Sequence, residues 1–549
     1  MFKRNTVVFL AATLATTVFA TKYEAESATV SSEAKIVNSS GVSGTGYASL
    51  QEGNISFTGV TVETAGKYTL TIHYQAGDYK ANYLKVNGAT AGTIDFAATT
   101  GWADVTTAVT LKAGTNTIAI EKYWGWIDVD YIDISAYESA PFKLSATPVT
   151  PNATESAVKL YNFLRENFGK KTISGIMTGD MNGFTLGADF KTHDDVKYIY
   201  TRTGKHPALV GLDFLFATGP NASQGWNMEY TDKAISIAKS LWKAGGIPAF
   251  TWHWKDPLDK DDAFYIQGAD NGQGYTTFDF ATGFKPGTTE WDTESAAYKG
   301  IVADIDHIAD YFLELQKEGV AGIFRPLHEA GGKWFWWSIN SGDQFASLYR
   351  LVYDRMVKVK GVKNMIWVFN PEGSTVTSWN PGNEYYDVLS IDIYNNANDH
   401  SSNASSFDKF KNASNGTKIL ALSENGPIPD VNNMHTDEAV WSWWMPWYST
   451  WNGTWPGQTK DAVWKSNMDD ERVLSLEDMP GWDKYKPNQD TSTTRLAKAS
   501  PFYGPATTIG IFDMNGHYVG LTTQGLPQGR YIVRQRIQGR NKNAVYIKK

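Results

Sequence analysis

No cysteine occurs in the 549 residues. Disulfide staples, thiolate catalysis and cysteine-based metal clusters are therefore excluded. Beyond the first twenty residues, no apolar run approaches the roughly 20 residues that a membrane-spanning helix needs. No bilayer span is expected. Basic residues are the minority, 50 Lys and Arg against 58 Asp and Glu. A mildly acidic chain gives no electrostatic support for nucleic acid as a partner. Histidine is scarce, with nine in all. No two of His253, His328 and Glu329 have the short helical spacing of a zinc motif, so chemistry without a metal or other cofactor is expected.

What is present divides the chain into a multidomain protein. Lys3 and Arg4 precede an apolar stretch, 7–20, that ends in Val18-Phe19-Ala20. This order of charge, apolar core and small residues reads as a secretory signal, 1–20. The mature protein is then expected to be secreted or held at the cell surface as a monomer. Export without cysteine is more usual in bacteria. Residues 22–138 alternate Thr, Val and Tyr in short runs such as Lys67-Tyr68-Thr69-Leu70-Thr71-Ile72, separated by Gly and Asn turns. That pattern predicts an antiparallel β-sandwich.

The middle, 147–485, alternates helical patterns with short apolar runs. Eight strands are predicted, at 172–177, 208–214, 247–252, 322–327, 365–370, 388–394, 419–423 and 440–447. The last is Trp-rich and has no clear period. Eight strands with helices between them predict a (β/α)8 barrel. A Pro-, Asn- and Thr-rich linker follows at 486–503, then a small β module at 504–549. That module carries Arg530, Arg534, Arg536, Arg540, Lys542, Lys548 and Lys549 against Asp513. Charges on a solvated face or sheet edge are the plain reading of this excess.

Two of the barrel runs end in a glutamate: Gly322-Ile323-Phe324-Arg325-Pro326-Leu327-His328-Glu329 and Ala421-Leu422-Ser423-Glu424. Carboxylates at the carboxyl ends of parallel strands sit where a barrel keeps its chemistry. Two of them facing one cleft are the minimum equipment for cleaving a glycosidic bond. The surrounding tryptophans offer flat apolar faces that suit sugar rings. If the extended run continued to Glu329, side-chain alternation would put Arg325 and Glu329 on one face. A buried cation there would favour an ionised neighbour.

Arg325-Pro326-Leu327-His328-Glu329 with Trp334 beyond it resembles the acid/base strand of glycoside hydrolase family 26, and Leu422-Ser423-Glu424-Asn425-Gly426 resembles its nucleophile strand. Thr251-Trp252-His253-Trp254 and Ser390-Ile391-Asp392-Ile393-Tyr394 are similar to that family as well, and the likeness runs over 147–485. The resemblance implies a retaining barrel hydrolase, most often an endo-β-1,4-mannanase, acting on plant β-mannan. Related β-glucanase or xylanase activity, or a non-catalytic polysaccharide adhesin, are the alternatives. It further implies Glu329 as acid/base and Glu424 as nucleophile. Tyr394 would hydrogen-bond Glu424, and His328 would lie near the nucleophile and the sugar. His253 and Trp334 would line the reacting-sugar subsite, and Trp443 would form its floor. Phe335 departs from the family, where a polar Asn commonly follows the tryptophan.

Tyr23-Glu24-Ala25-Glu26, Gly44-Thr45-Gly46-Tyr47 and Trp124-Gly125-Trp126-Ile127-Asp128-Val129-Asp130 resemble a family 35 carbohydrate-binding module. That likeness implies sugar contacts at Trp124, Trp126 and Asp128, and a structural calcium. Glu24 and Glu26 would alternate onto one side of the first strand, with Asp130 joining from the last, a hard-oxygen set. The tail, with Asp513-Met514-Asn515-Gly516 and Val545-Tyr546-Ile547-Lys548-Lys549, resembles a type IX secretion sorting domain. Recognition by secretion machinery is implied, and a further sugar-binding module is the alternative.

Overall fold

The structure is a computed structural model. It describes residues 21–137, 140–450, 453–454 and 456–487, with the strand backbones 507–513, 518–520, 529–537 and 540–548. The expected signal segment 1–20 and most of the 486–503 linker lie outside the described residues. Among the described residues, no helix is long and apolar enough to cross a membrane.

Residues 21–136 form two antiparallel sheets face to face. One contains Asp128–Ala136 at its centre, paired with Gly66–Gln75, Gly46–Ser49 and Thr21–Glu24. The other is centred on Gly114–Lys122, paired with Ile55–Val62 and Lys80–Val86. Alternation buries one face of the central strands: Leu70, Ile72, Val129 and Ile132 from one sheet meet Phe57, Leu84, Ile118 and Ile120 from the other. The first strand stops at Glu24, and Ala25–Ser27 is a 3-10 turn. Glu26 is therefore not presented by strand alternation, as the sequence pattern had implied. The turn is closed by Ala28 N donating to Ala25 O at 3.1 Å, and Thr45 N donates to Glu26 Oε1 at 2.6 Å.

The central domain is a parallel sheet of seven strands, in sequence order: β1 (Gly175–Met177), β2 (Leu209–Asp213), β3 (Ile247–Thr251), β4 (Gly322–Arg325), β5 (Met365–Phe369), β6 (Val388–Ile393) and β7 (Ile419–Asn425). Helices lie between consecutive strands except β5 and β6, which a loop joins. Several of the domain's helices join an amphipathic stripe to a side-chain cap. In Ala296–Lys317, for example, Ile301, Ile305, Ile308, Phe312 and Leu315 are buried, and the Ser295 hydroxyl accepts from Tyr298 N at 3.2 Å.

The predicted eighth strand, 440–447, does not form a regular strand, yet its backbone closes the barrel. Ile173 N donates to Ser442 O at 2.9 Å and Met177 N to Pro446 O at 2.9 Å on one side. On the other, Leu422 N donates to Trp443 O at 3.1 Å and Trp447 N to Asn425 O at 3.1 Å. Pro446 has no N–H to give, so a continuous ladder is impossible there. Closure also needs Gly175: a Cβ at that position would lie 2.4 Å from Trp444 O.

The sandwich and barrel pack as one unit through Lys486. Lys67 Nζ lies 2.7 Å from Asp408 Oδ2, and Thr110 Oγ1 donates to Asp437 Oδ1 at 2.6 Å. Pro487–Lys549 is a second unit. Its described backbone is a four-stranded antiparallel sheet, Thr507–Asp513, Tyr518–Gly520, Gly529–Ile537 and Arg540–Lys548.

Candidate active site

Polar residues gather at the carboxyl ends of the barrel strands, where the apolar interior gives way to solvent. Strand β4 ends at Arg325, four residues earlier than shared alternation with Glu329 would need. Beyond it, Leu327 (φ 51°) and Glu329 (φ 54°) adopt left-handed backbone. This is a strained geometry that the surroundings must hold. Asn370, just past β5, helps hold it by accepting from Glu329 N at 2.9 Å. The turn sends Arg325 toward β6 and β7 rather than alongside Glu329. Its guanidinium bonds Asp392 Oδ2 at 2.8 Å and Asn370 Oδ1 at 3.2 Å, and it donates to Glu424 Oε1.

Glu424, the penultimate residue of β7, is buried. Its second oxygen accepts from the Tyr394 hydroxyl at 2.6 Å. Tyr394 is 41% exposed, but that hydroxyl turns inward onto the carboxylate. Glu329 is held differently. Trp334 Nε1 donates to its Oε2 at 2.6 Å. Burial, and then the charges of Glu424 and Asp392, push its pKa well above the ordinary carboxylate range, against the pull of Trp334 and Arg325. Carboxylate oxygens of Glu329, Asp392 and Glu424 all lie within 4.8 Å of one another. One guanidinium balances three acids. The acid with no direct bond to it, Glu329, is the natural place for a retained proton.

His253 and His328 stand beside the pair, ring centroids 4.6 Å apart. His253 Nδ1 lies 2.6 Å from Asp213 Oδ2 at the end of β2, which fixes the orientation of the ring and turns Nε2 away from that carboxylate. Burial, then Arg325 and His253, push His328 well below the usual histidine range, so it is a neutral imidazole. The structure thus brings Glu329, Glu424, His253, His328, Trp334 and Tyr394 to one cleft. Trp443 is not at its surface. It is 2% exposed and lines a small pocket inside the barrel with Met177, Thr251 and Arg325. The half-buried ring of that cluster is Trp447, 5.8 Å from His253. Asp213, Asn370 and Asp392 were not singled out from sequence. Each lies at the carboxyl end of a predicted strand, the signal that marked the two glutamates.

On the sandwich, Trp124 and Trp126 are 50% and 54% exposed. Trp124 packs edge-on to Tyr79 at 5.5 Å, and Trp126 Nε1 donates to Glu52 Oε1 at 2.6 Å. Asp128 is half-buried, and burial raises its pKa. Glu24 Oε2, Glu26 Oε2 and Asp130 Oδ1 are buried without a hydrogen-bond partner. Their other oxygens are occupied: Ser43 Oγ donates to Glu24 at 2.8 Å, Thr45 N to Glu26 at 2.6 Å and Ser43 N to Asp130 at 3.0 Å. Gly44 (φ 59°) passes so close that a Cβ would lie 2.0 Å from Glu26 Oε1. Orphaned hard oxygens fit a divalent cation such as calcium. They do not form a triad as tight as Glu329, Asp392 and Glu424. In that tighter triad Arg325 already supplies the cation.

A parallel barrel with paired carboxylates at the ends of its fourth and seventh strands, joined to a β-sandwich, is the arrangement of a modular glycoside hydrolase. Residues 149–470 match glycosyl hydrolase family 26, and residues 21–137 match the family 35 carbohydrate binding module. The chain belongs to glycosyl hydrolase family 26. It is 33% identical to mannan endo-1,4-beta-mannosidase B of Piromyces sp, over 80% of this chain and 74% of that one. Among solved structures, it resembles the Podospora anserina β-(1,4)-mannanase, which joins a family 26 hydrolase to a family 35 module. The identity is 28% and the TM-score 0.57, over 84% of this chain and 99% of that one. A ruminal family 26 endo-β-1,4-mannanase gives 26% identity and a TM-score of 0.68, also over 84% and 99%.

Proposed function

We propose that the chain is a secreted, retaining endo-β-1,4-mannanase acting on mannan, glucomannan or galactomannan. The observation that carries the mechanism is the approach of the Glu329 and Glu424 oxygens to within 4.8 Å. Retaining hydrolases hold their carboxyl groups about 5–5.5 Å apart, whereas inverting ones need about 6.5–9.5 Å to admit a water. In the first step a Glu424 oxygen attacks the anomeric carbon while Glu329 gives its proton to the departing oxygen. In the second, Glu329 takes a proton from water, whose oxygen displaces Glu424 and restores the configuration. Arg325 and Tyr394 aim the nucleophile, and His253 Nε2 and Trp447 border the reacting sugar. The substrate class is supported by the named activity of the Piromyces and Podospora relatives. Product profiles on mannan, β-glucan and xylan side by side test it. Manno-oligosaccharides from mannan alone are expected, and stronger release from glucan or xylan would reject the assignment.

The sandwich is proposed to bind the same polysaccharide through Trp124 and Trp126, with calcium held by Glu24, Glu26 and Asp130. A metal bound only by the folded state adds about 2.7 kcal/mol at a hundred times its Kd. EDTA should therefore lower the melting temperature of the full chain, added calcium should restore it, and Glu26→Ala should remove the response. Identical melting with and without EDTA would reject the site.

The tail, 504–549, is proposed as a module read by export machinery. Its side chains lie outside the described residues. Deleting it should leave kcat/KM on mannan unchanged while lowering secreted yield in the native host. Normal secretion with weakened binding to insoluble mannan would instead mark it as a sugar-binding module.

A further inference from the structure

Between β3 and the helix Ala296–Lys317 the chain makes a long excursion, 252–295. Part of it returns to pair with the segment that follows Glu329. Ile266 N donates to Trp334 O at 2.9 Å, and Tyr265 forms a β-bridge with Phe335. On the other side, Thr276 N donates to Tyr265 O at 2.8 Å. The Tyr265 ring stacks on Phe335, centroids 5.3 Å apart, and packs against Phe264 at 4.7 Å. Tyr265 is thus fixed through both backbone and ring. It is only half-buried, and its hydroxyl has no hydrogen-bond partner among the described residues.

This gives Phe335 a role that its departure from the family pattern left open. Phe335 is buried, packing on His328 at 5.0 Å and His253 at 5.7 Å. It has no exposed face to offer a sugar. It carries Tyr265 on its outer side, and that phenol is the polar group at this point of the wall. The same wall holds Trp334, which clamps Glu329. The proton donor stands between the reacting and the departing sugar, since its proton goes to the oxygen that joins them, so a group on its wall is within reach of the departing sugar.

We propose that the Tyr265 hydroxyl hydrogen-bonds a hydroxyl of the departing sugar and selects for a sugar as the leaving group. The inference rests on the assignment of Glu329 as acid/base. Burial, then the charges of Glu329 and Glu424, push the phenol's pKa up, so it stays a donor at working pH.

Tyr265→Phe removes one oxygen and keeps the ring stack. Rates are measured on mannohexaose and on an aryl β-mannobioside, whose aromatic leaving group brings no sugar hydroxyl to this position. The expected result is a loss of about tenfold or more in kcat/KM on mannohexaose with the aryl substrate within about twofold, since an unpaired polar group at a binding site discriminates strongly. Glycosyl transfer from the aryl donor to added mannotriose, relative to hydrolysis, should fall in parallel. The acceptor occupies the place of the departing sugar. Equal losses on both donors would make Tyr265 a structural prop, and no loss on mannohexaose would leave its hydroxyl without a substrate contact. Either result overturns the inference. If the wild-type enzyme itself failed on mannohexaose, the activity assignment would fall and this inference with it.

Discussion

Glu424→Ala is expected to fold, to bind mannan, and to lose about 10^4-fold or more in kcat, as removal of a nucleophile does elsewhere. Glu424 sits at the end of a fully buried strand with both oxygens already bonded, one to Arg325 and one to the Tyr394 hydroxyl. No neighbouring carboxylate can take its place. Asp392 is pinned by Arg325 Nη1 at 2.8 Å and by Asn370 Nδ2 at 2.9 Å. Truncation opens a space the size of a small anion beneath the anomeric carbon. Azide added to the variant should therefore restore cleavage of an activated aryl β-mannoside and yield the α-glycosyl azide, inverted relative to the substrate. Wild-type turnover without azide, or a rescued product of retained configuration, would remove Glu424 from the role. Fold damage is checked by melting. Loss of Glu424 leaves Arg325 its partner Asp392, so the variant should not unfold below the assay temperature.

The two glutamates were legible because each closes an apolar run, and the same reading applied to every run would have found the rest. Asp213, Asn370 and Asp392 also stand at strand ends and complete the network. A polar residue after a buried strand is a weak signal singly. It becomes strong only when topology places all such ends on one face, and topology is a property of the assembled barrel. The eighth strand was placed but not its form, because Pro446 and the tryptophans around it make closure a set of separate bridges instead of a ladder. The choice between Trp443 and Trp447 depends on which ring the closing segment turns inward. Four aromatic residues in a seven-residue span, 441–447, carry no alternation that would tell. Similarly, the turn after Arg325 depends on left-handed backbone at Leu327 and Glu329, which neither residue favours locally and which Asn370 stabilises from another strand.

Glu329→Ala should separate leaving groups by how much protonation they need. On mannan, kcat/KM is expected to fall by about 10^3-fold, within the range for a lost general acid. On an aryl β-mannoside with an acidic phenol the first step needs little protonation. The glycosyl-enzyme should then form and accumulate, because Glu329 is also the base for its hydrolysis. An initial burst followed by slow turnover, accelerated by azide with retention of configuration, is the expected trace. Equal losses on both substrates would exclude Glu329 as the acid. The pH dependence supplies a second, independent reading. Burial and the charges of Glu424 and Asp392 raise Glu329 well above an ordinary carboxyl group. The proton it must deliver is thus present in the free enzyme until pH passes that raised value, and wild-type kcat/KM should fall on the alkaline side as it ionises. Stability carries the same sign. A group whose pKa is raised by folding stabilises the fold fully below its unfolded pKa, about 4.3 for Glu, and the contribution is lost as pH rises through the folded value. Glu329→Gln cannot ionise, so its melting temperature should exceed that of the wild type by a margin that widens with pH over this window. Parallel melting curves for the two proteins from acid to alkaline pH would show that Glu329 carries no raised pKa.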